Sequence, residues 1–464
     1  MKLTQSPVWL YFRTKLSEAN RWALLLVLVL LLLLKGGTPW PVAEVVSILI
    51  GLMLVFSSVE PPRNAAVARF QVYSLAFAVS VTMYILFQTL PISGLSNPIW
   101  DLVRKQLDLN LSGRISVAPI QSLWSIFRLV LPYAVFSVGL ALFQFEKDVK
   151  WLWRAFSVIG TAFAIYGILQ LLLFPDWLFL EAKTYYKTSL TSVLVNRNSA
   201  ATFLGMALIA TVCLIRWEVR SGERSGFWEE PWLQLGYFAL SRNLGLLIGG
   251  VFLQVLALGL TTSRGGLLSS TLGLCVAVFL LDFRVLRRRV SNRVVKWGIL
   301  TLLAIFAFEL FSGRTVHRLE TDLSSARLCT YKSTLQAALL NLPFGTGLGT
   351  FQDVFPSFRD PNCGVVGIWD KAHNSYLENF LELGLAYILF LGIGCILLLR
   401  TLVRGYGERQ EYRPFVAGGL AITVLVAVHA LVDFSLQIPA VSAFYALLLS
   451  SSVTIALGRS PRDM

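Results

Sequence analysis

Long apolar runs recur along the whole chain, at about 22–36, 41–58, 70–90, 124–145, 151–174, 199–216, 243–260, 264–282, 297–311, 376–399, 415–432 and 438–457. A bilayer core about 30 Å thick needs about 20 apolar helical residues to cross it. Each run is apolar on all sides rather than along one stripe, so a helix built from it suits lipid or other helices and not water. The reading is an all-α, polytopic membrane protein of about 12 transmembrane helices. Spans 1–9 occupy 1–311, a long loop occupies 312–375, and spans 10–12 occupy 376–464. Composition agrees and excludes a soluble enzyme: 56% of the 464 residues are hydrophobic and 14% charged, against about 25% charged in soluble domains.

The net charge of +14 would suggest nucleic acid in a soluble protein. In a membrane protein it is read through its distribution. With the N-terminus inside, 25 of the 40 Lys and Arg fall in inside segments and 14 outside, with Arg128 within a span. The densest cluster, around Arg284, Arg287, Arg288 and Arg289, falls in a short inside loop. Both termini are therefore expected in the cytoplasm and the 312–375 loop outside, with no nucleic-acid partner. Trp22, Trp40, Trp151, Trp153, Trp177, Trp217 and Trp297 lie at predicted span ends, as an aromatic belt requires. The first run resembles a signal-peptide start, but no A-x-A cleavage site follows, and it is read as a retained helix. Gly245 and Gly249 form a GxxxG pair expected to pack two helices closely.

Cys213, Cys275 and Cys395 lie within spans and read as small apolar residues. Cys329 and Cys363 share the long outer loop, where oxidation is permitted, and a disulfide between them is a testable expectation.

Cations at the outer face run against the positive-inside rule and so invite a functional reading. Arg197 sits in Asn196-Arg197-Asn198, just before the sixth span; Arg264 sits in Thr262-Ser263-Arg264-Gly265-Gly266, a break of about three residues between two spans. Arg314 and Arg327 open the long loop. Several arginines on one face suit a phosphate or diphosphate. Gly265 and Gly266, at a helix start, would admit a ligand to backbone N–H groups. The alternative for Arg264 is snorkelling to lipid phosphates. His373 opens the approach to the tenth span, and a neutral imidazole there could take a proton from an incoming hydroxyl. Asn374, Glu378 and Glu382 follow at i, i+4 and i+8 on one helix face, placed either to orient His373 or to pair with the outer arginines. His429 and Asp433 form a second polar pair, read as a structural hydrogen bond; His317 has no distinguishing context. P-loop, HExxH, G-x-S-x-G and zinc-ligand spacings are absent. Glu320-Thr321-Asp322 is the nearest approach to an Asp-x-Asp motif, and no catalytic metal or cofactor is expected.

At these residues the chain resembles the O-antigen ligase and polymerase superfamily, bacterial integral membrane enzymes similar to the GT-C glycosyltransferases. The resemblance runs over roughly 190–435. It rests on Asn196-Arg197-Asn198, Thr262–Gly266, the stretch from Pro343 to Phe351 (PFGTGLGTF), and His373-Asn374 followed, after nine intervening residues, by Gly384. It implies a GT-C-like fold in the inner membrane, with the long loop periplasmic. It also implies transfer of a glycan from undecaprenyl diphosphate to an acceptor sugar hydroxyl, inverting and metal-independent. By its motifs the catalytic histidine maps onto His373 and the diphosphate-contacting arginines onto Arg197, Arg264 and Arg327. The acceptor would be a lipid A-core or another glycan. The ligase pattern continues to a second glycine, where this chain has Tyr387; the Arg-x10-Gly pattern of some O-antigen polymerases is absent from the outer loops. Ligase, repeat-unit polymerase and, more distantly, transporter or flippase remain the alternatives. A transporter should show repeated halves and interrupted helices near the midplane, and neither is seen.

Overall fold

A computed structural model describes residues 7–58, 62–92, 94–224, 242–281, 323–363 and 367–458. The predicted ninth span at 297–311, the Arg284 cluster, Arg314, His317 and Glu320–Asp322 lie outside the described residues. The helices are α1 (Pro7–Leu33), α2 (Val42–Ser58), α3 (Ala65–Thr89), α4 (Ile99–Leu107), α5 (Pro119–Leu142), α6 (Glu146–Leu173), α7 (Arg197–Arg224) and α8 (Arg242–Leu260). They continue as α9 (Arg264–Leu280), α10 (Leu323–Leu340), α11 (Phe351–Val354), α12 (Ser375–Leu383), α13 (Leu385–Glu408), α14 (Arg413–His429) and α15 (Pro439–Ala456). A two-residue antiparallel pair, Trp177–Leu178 with Glu181–Ala182, is the one sheet among the described residues. The chain is an all-α polytopic membrane protein. Among the described residues, α3, α5, α6, α7, α8, α13 and α15 are each long and apolar enough to cross a membrane, and α2, α9 and α14 are shorter apolar helices.

Side-chain size decides which helices sit inside. Lipid tails are as apolar as leucine, so close van der Waals packing by small residues drives association in the bilayer. α7 and α15, rich in Ala, Ser and Gly, are almost wholly buried, whereas the bulky α13 faces outward along nearly its whole length. The serines of α15 cost little there, because Ser450 and Ser451 return their hydroxyls to carbonyls of their own helix and Ser452 reaches both Leu448 O and Phe415 O. A Cβ on Gly139 of α5 would come within 2.1 Å of Ser450 Oγ, and one on Gly419 of α14 within 2.5 Å of Ser452 Oγ. Among the described residues the Gly245/Gly249 pair meets no partner helix: nothing lies within 4 Å of a Cβ at either position. α8 uses Gly250 instead, against Thr161 of α6.

The two ends of the bundle differ chemically. At one end Arg21 pairs with Asp148, Arg154 with Glu218, and Arg409 with Glu146, while Arg216 and Arg220 donate to the carbonyls of Leu281 and Gln410. The other end gathers the N-termini of α7, α9 and α12 and the C-terminus of α14.

Candidate functional site

A backbone clamp positions the helix that follows His373. The apolar run predicted as one span at 376–399 is broken at Gly384, which adopts φ +60° and ψ −143° between α12 and α13. A Cβ there would lie 2.2 Å from Pro343 O. Into that space folds the PFGTGLGTF stretch. Leu385 N donates to Pro343 O at 2.9 Å, Thr346 N to Leu381 O at 3.0 Å, and Gly347 N to Glu382 O at 2.9 Å. Gln88 of α3 locks the joint, its Nε2 donating to Phe344 O and Glu382 O at 2.8 and 2.9 Å. Gly345 serves backbone-to-backbone contact, a Cβ there lying 2.5 Å from Glu382 O, while Gly347 and Gly349 make room for the Ser116 and Ser125 side chains.

The residues after His373 are committed to structure. Asn374 is the N-cap of α12, its Oδ1 accepting from Tyr376 N and Leu377 N at 3.1 and 3.0 Å. Glu378 accepts from Ala372 N at 2.7 Å and pairs with Lys371 at 3.2 Å. Glu382 accepts from Phe351 N at 3.1 Å. Burial pushes the Glu382 carboxyl up to about 8, with the Glu378 charge adding to the rise and Lys371 and the Gly349 and Phe351 amides opposing it. The shared face of Asn374, Glu378 and Glu382 therefore turns to the loop, not to the imidazole. The reason is the N-cap: it ends the helix at 374, so His373, with φ +54°, leaves the helical register of its neighbours.

The carboxylate facing His373 is Asp433. Ser375 N donates to Ala430 O at 2.9 Å and Ser375 Oγ to Asp433 O at 3.0 Å, docking the start of α12 on the end of α14. This brings His373 Nδ1 to 3.8 Å from Asp433 Oδ1, just beyond hydrogen-bond length. Tyr331 of α10 holds the His373 carbonyl at 2.9 Å, and the rings of Trp369 and Phe434 meet the imidazole edge-on. The His373 side chain is 21% exposed and that of Asp433 fully buried. Burial alone would raise the Asp433 carboxyl. The His373 and His429 imidazoles, with hydrogen bonds from Ser435 and Asn198, hold it below the usual carboxylate range. The expected His429–Asp433 hydrogen bond is not the arrangement found. α14 ends at His429, so helical spacing no longer relates the two residues; His429 Nδ1 lies 2.6 Å from Thr202 Oγ1 instead.

A continuous polar chain joins the three motifs at this end. Gly266 N donates to Ser263 Oγ at 3.2 Å, Ser263 Oγ donates to Asn198 Oδ1 at 2.8 Å, and Asn198 Nδ2 donates to Asp433 Oδ1 at 2.8 Å. Asp433 in turn faces His373. Arg197 Nη1 donates to Thr262 Oγ1 at 2.8 Å, with its guanidinium 5.2 Å from the Tyr186 ring centroid, so Arg197 is tied to the turn that carries Arg264. Arg327, half-buried on α10, is electrostatically coupled to Tyr331 and to His429. Gly265 and Gly266 are used for packing: a Cβ on the first would meet Val432 at 2.9 Å and His429 at 3.4 Å, and on the second Ala201 at 2.4 Å. Their small size lets α9 approach α7 and α14, and the N-cap Ser263 takes the Gly266 amide that a ligand could have used. No group of three or more His, Cys, Asp or Glu among the described residues is arranged to hold a metal ion.

Residues 249–392, which carry the Arg264 turn, the Gly-rich clamp and His373, match the family model described as O-antigen ligase. This match supports a place for the chain in the O-antigen ligase superfamily. No curated protein matches the chain. The O-antigen ligase match indicates a glycosyltransferase-like enzyme of bacterial membranes. It stops short of Arg197 and Asn198 on one side and of Asp433 on the other, although these residues complete the polar chain. Asp433 belongs to this site geometrically and was missed as a site residue in the sequence. The available signal was an acid set just past a span end, beside Ser435.

Proposed function

We propose that the protein transfers a glycan from undecaprenyl diphosphate to an acceptor sugar hydroxyl at the periplasmic face, as a metal-independent, inverting O-antigen ligase-like enzyme. The observation that carries this reading is the His373–Asp433 pair at the end of a polar chain that leads to the Arg197 and Arg264 turn. In this reading Asp433 stays ionised and orients the imidazole through Nδ1. Nε2 then accepts the proton of the attacking hydroxyl as the new glycosidic bond forms at the anomeric carbon. The anomeric bond to the diphosphate oxygen breaks, and undecaprenyl diphosphate leaves with the electron pair. Arg197 and Arg264, with Arg327 alongside, offset the charge that grows on the leaving group. The long loop selects the acceptor, a lipid A-core or a glycan.

A polymerase reading, which would join lipid-linked repeat units at the same site, is favoured by Tyr387 in place of the ligase pattern's second glycine. That ring packs with Val81, Ile85, Leu348 and Leu383 beside the clamp. Deletion cells separate the two: long undecaprenyl-linked chains mark a missing ligase, single repeat units a missing polymerase. Residue roles are tested in the purified, membrane-inserted protein. His373→Ala and Asp433→Asn are each expected to lower kcat by about 100-fold or more, the usual scale for a general base and its orienting acid, with KM little changed. Full activity in both His373→Ala and Arg264→Ala would overturn the mechanism.

A further inference from the structure

The segment between α6 and α7 contains a cation that the sequence did not single out. Two acids and two lysines lie in 174–196. Asp176 pairs with Lys187 at 2.7 Å and Glu181 with Lys35. Lys183 pairs with neither. It is 3% exposed, its Nζ donates to the Ser189 carbonyl at 2.9 Å, and no carboxylate among the described residues lies within 4 Å of it. Its backbone is fixed as well, since Lys183 N donates to Asp176 O at 2.6 Å just beyond the short antiparallel pair. Desolvating an ammonium without a counter-charge costs several kcal/mol even after relaxation. Burial lowers its pKa to about 8, which leaves it mostly charged at neutral pH.

A second cation converges on the same serine. Arg197 Nη1 lies 3.5 Å from Ser189 Oγ and 2.8 Å from Thr262 Oγ1, and those two hydroxyls are 2.7 Å apart. Leu190 N donates to Leu260 O at 2.9 Å, so the segment is docked on the turn that leads into Arg264. An anion that reaches both sides of this serine would be attracted by both cations. Lysine suits such a place as a point charge with three rotatable donors that can follow phosphate oxygens.

We infer that Lys183 is a further binding residue for a lipid-linked diphosphate, gripping it from the α6–α7 side while Arg197 holds it from the helix end. The inference rests on the donor reading above and adds a ligand contact from outside the family-matched segment. The same phosphate chemistry is offered by bilayer headgroups; the buried position of Lys183, beneath the segment rather than on its surface, favours the diphosphate.

The test uses the full chain in nanodiscs of phosphatidylcholine, titrated with undecaprenyl diphosphate and, separately, with phosphatidylglycerol. Lys183→Met should weaken undecaprenyl diphosphate binding by about tenfold or more, the scale of one lost charge-assisted contact. Lys183→Arg should recover most of it, and phosphatidylglycerol binding should not change. If Lys183→Met does not insert, Lys183→Gln makes the same comparison while keeping a donor for the Ser189 carbonyl. Wild-type affinity in the neutral variant overturns the inference, and so does an equal loss for phosphatidylglycerol, which would make Lys183 a headgroup anchor. If Arg264→Gln loses binding while the Lys183 variants do not, the donor reading stands and the role of Lys183 falls. If the wild type binds no undecaprenyl diphosphate, both fall.

Discussion

Asp433 and Glu382 are both buried carboxylates, yet their surroundings push them in opposite directions. Asp433 faces two imidazoles and accepts from Asn198 and Ser435, so it remains charged; Glu382 sits beside Glu378 and below the loop, so burial raises it to about 8. This difference separates a charge able to orient His373 from one that serves the scaffold. It also sets a pH dependence with a definite sign. The folded state holds the Glu382 proton more tightly than the unfolded chain does. The stability it contributes is therefore fully present below the ordinary value of 4.5 and is lost as pH rises through about 8. The apparent Tm in detergent should fall between those pH values in the wild type. Glu382→Gln, which keeps the acceptor for Phe351 N, should flatten that fall. An unchanged slope in the variant would show that another group carries it.

The element that depends most on a single position is the joint between α12 and α13. Gly384 adopts a positive φ that a side chain strains to follow, at a cost of about 1–3 kcal/mol, and its missing Cβ faces Pro343 O at 2.2 Å. Gly384→Ala should lower both Tm and turnover although every proposed site residue is retained. Gly392→Ala, whose Cβ would meet nothing within 4 Å on the same α13, should leave both unchanged. Equal Tm values for the two variants would show that the clamp does not depend on this close approach. The disulfide between Cys329 of α10 and Cys363 is a second tie on the loop. Alkylation after denaturation but without reduction should spare both cysteines and label Cys213, Cys275 and Cys395. Replacing the pair by serine should cost about 2–4 kcal/mol of stability, the usual range for a disulfide. Label on Cys329 before reduction would contradict the bridge.

Across the whole molecule, the polar chain, the Gly-rich clamp and the disulfide gather at one end of the bundle, and Arg21, Arg154, Arg216 and Arg409 gather at the other. By the positive-inside rule the second end is expected in the cytoplasm. Ile368→Cys, at an exposed position of the long loop, should react with a membrane-impermeant maleimide in intact cells. Gln410→Cys, exposed at the opposite end, should react only after permeabilisation. The reverse pattern would invert the orientation.

Much of this was legible in the chain alone. Apolar runs of span length dictate helices, because a backbone in lipid must satisfy its own hydrogen bonds, and the break before Arg264 is visible as three polar residues between two such runs. The shared loop of Cys329 and Cys363 made their pairing an open expectation, which the fold decided. Tertiary structure decided what residue type and spacing cannot carry. Asp433 lies 60 positions beyond His373, and only the docking of Ser375 on the end of α14 brings them together. Glu378 and Glu382 share a helix face with Asn374, but the cap at that residue turns His373 off the register and leaves those acids to the loop. Lys183 looks like any surface lysine until the fold buries it with no carboxylate beside it among the described residues. Local sequence dictates helix and span because those energies are local; partners across the bundle depend on which small residues allow which helices to approach, and that is settled only when all of them pack at once.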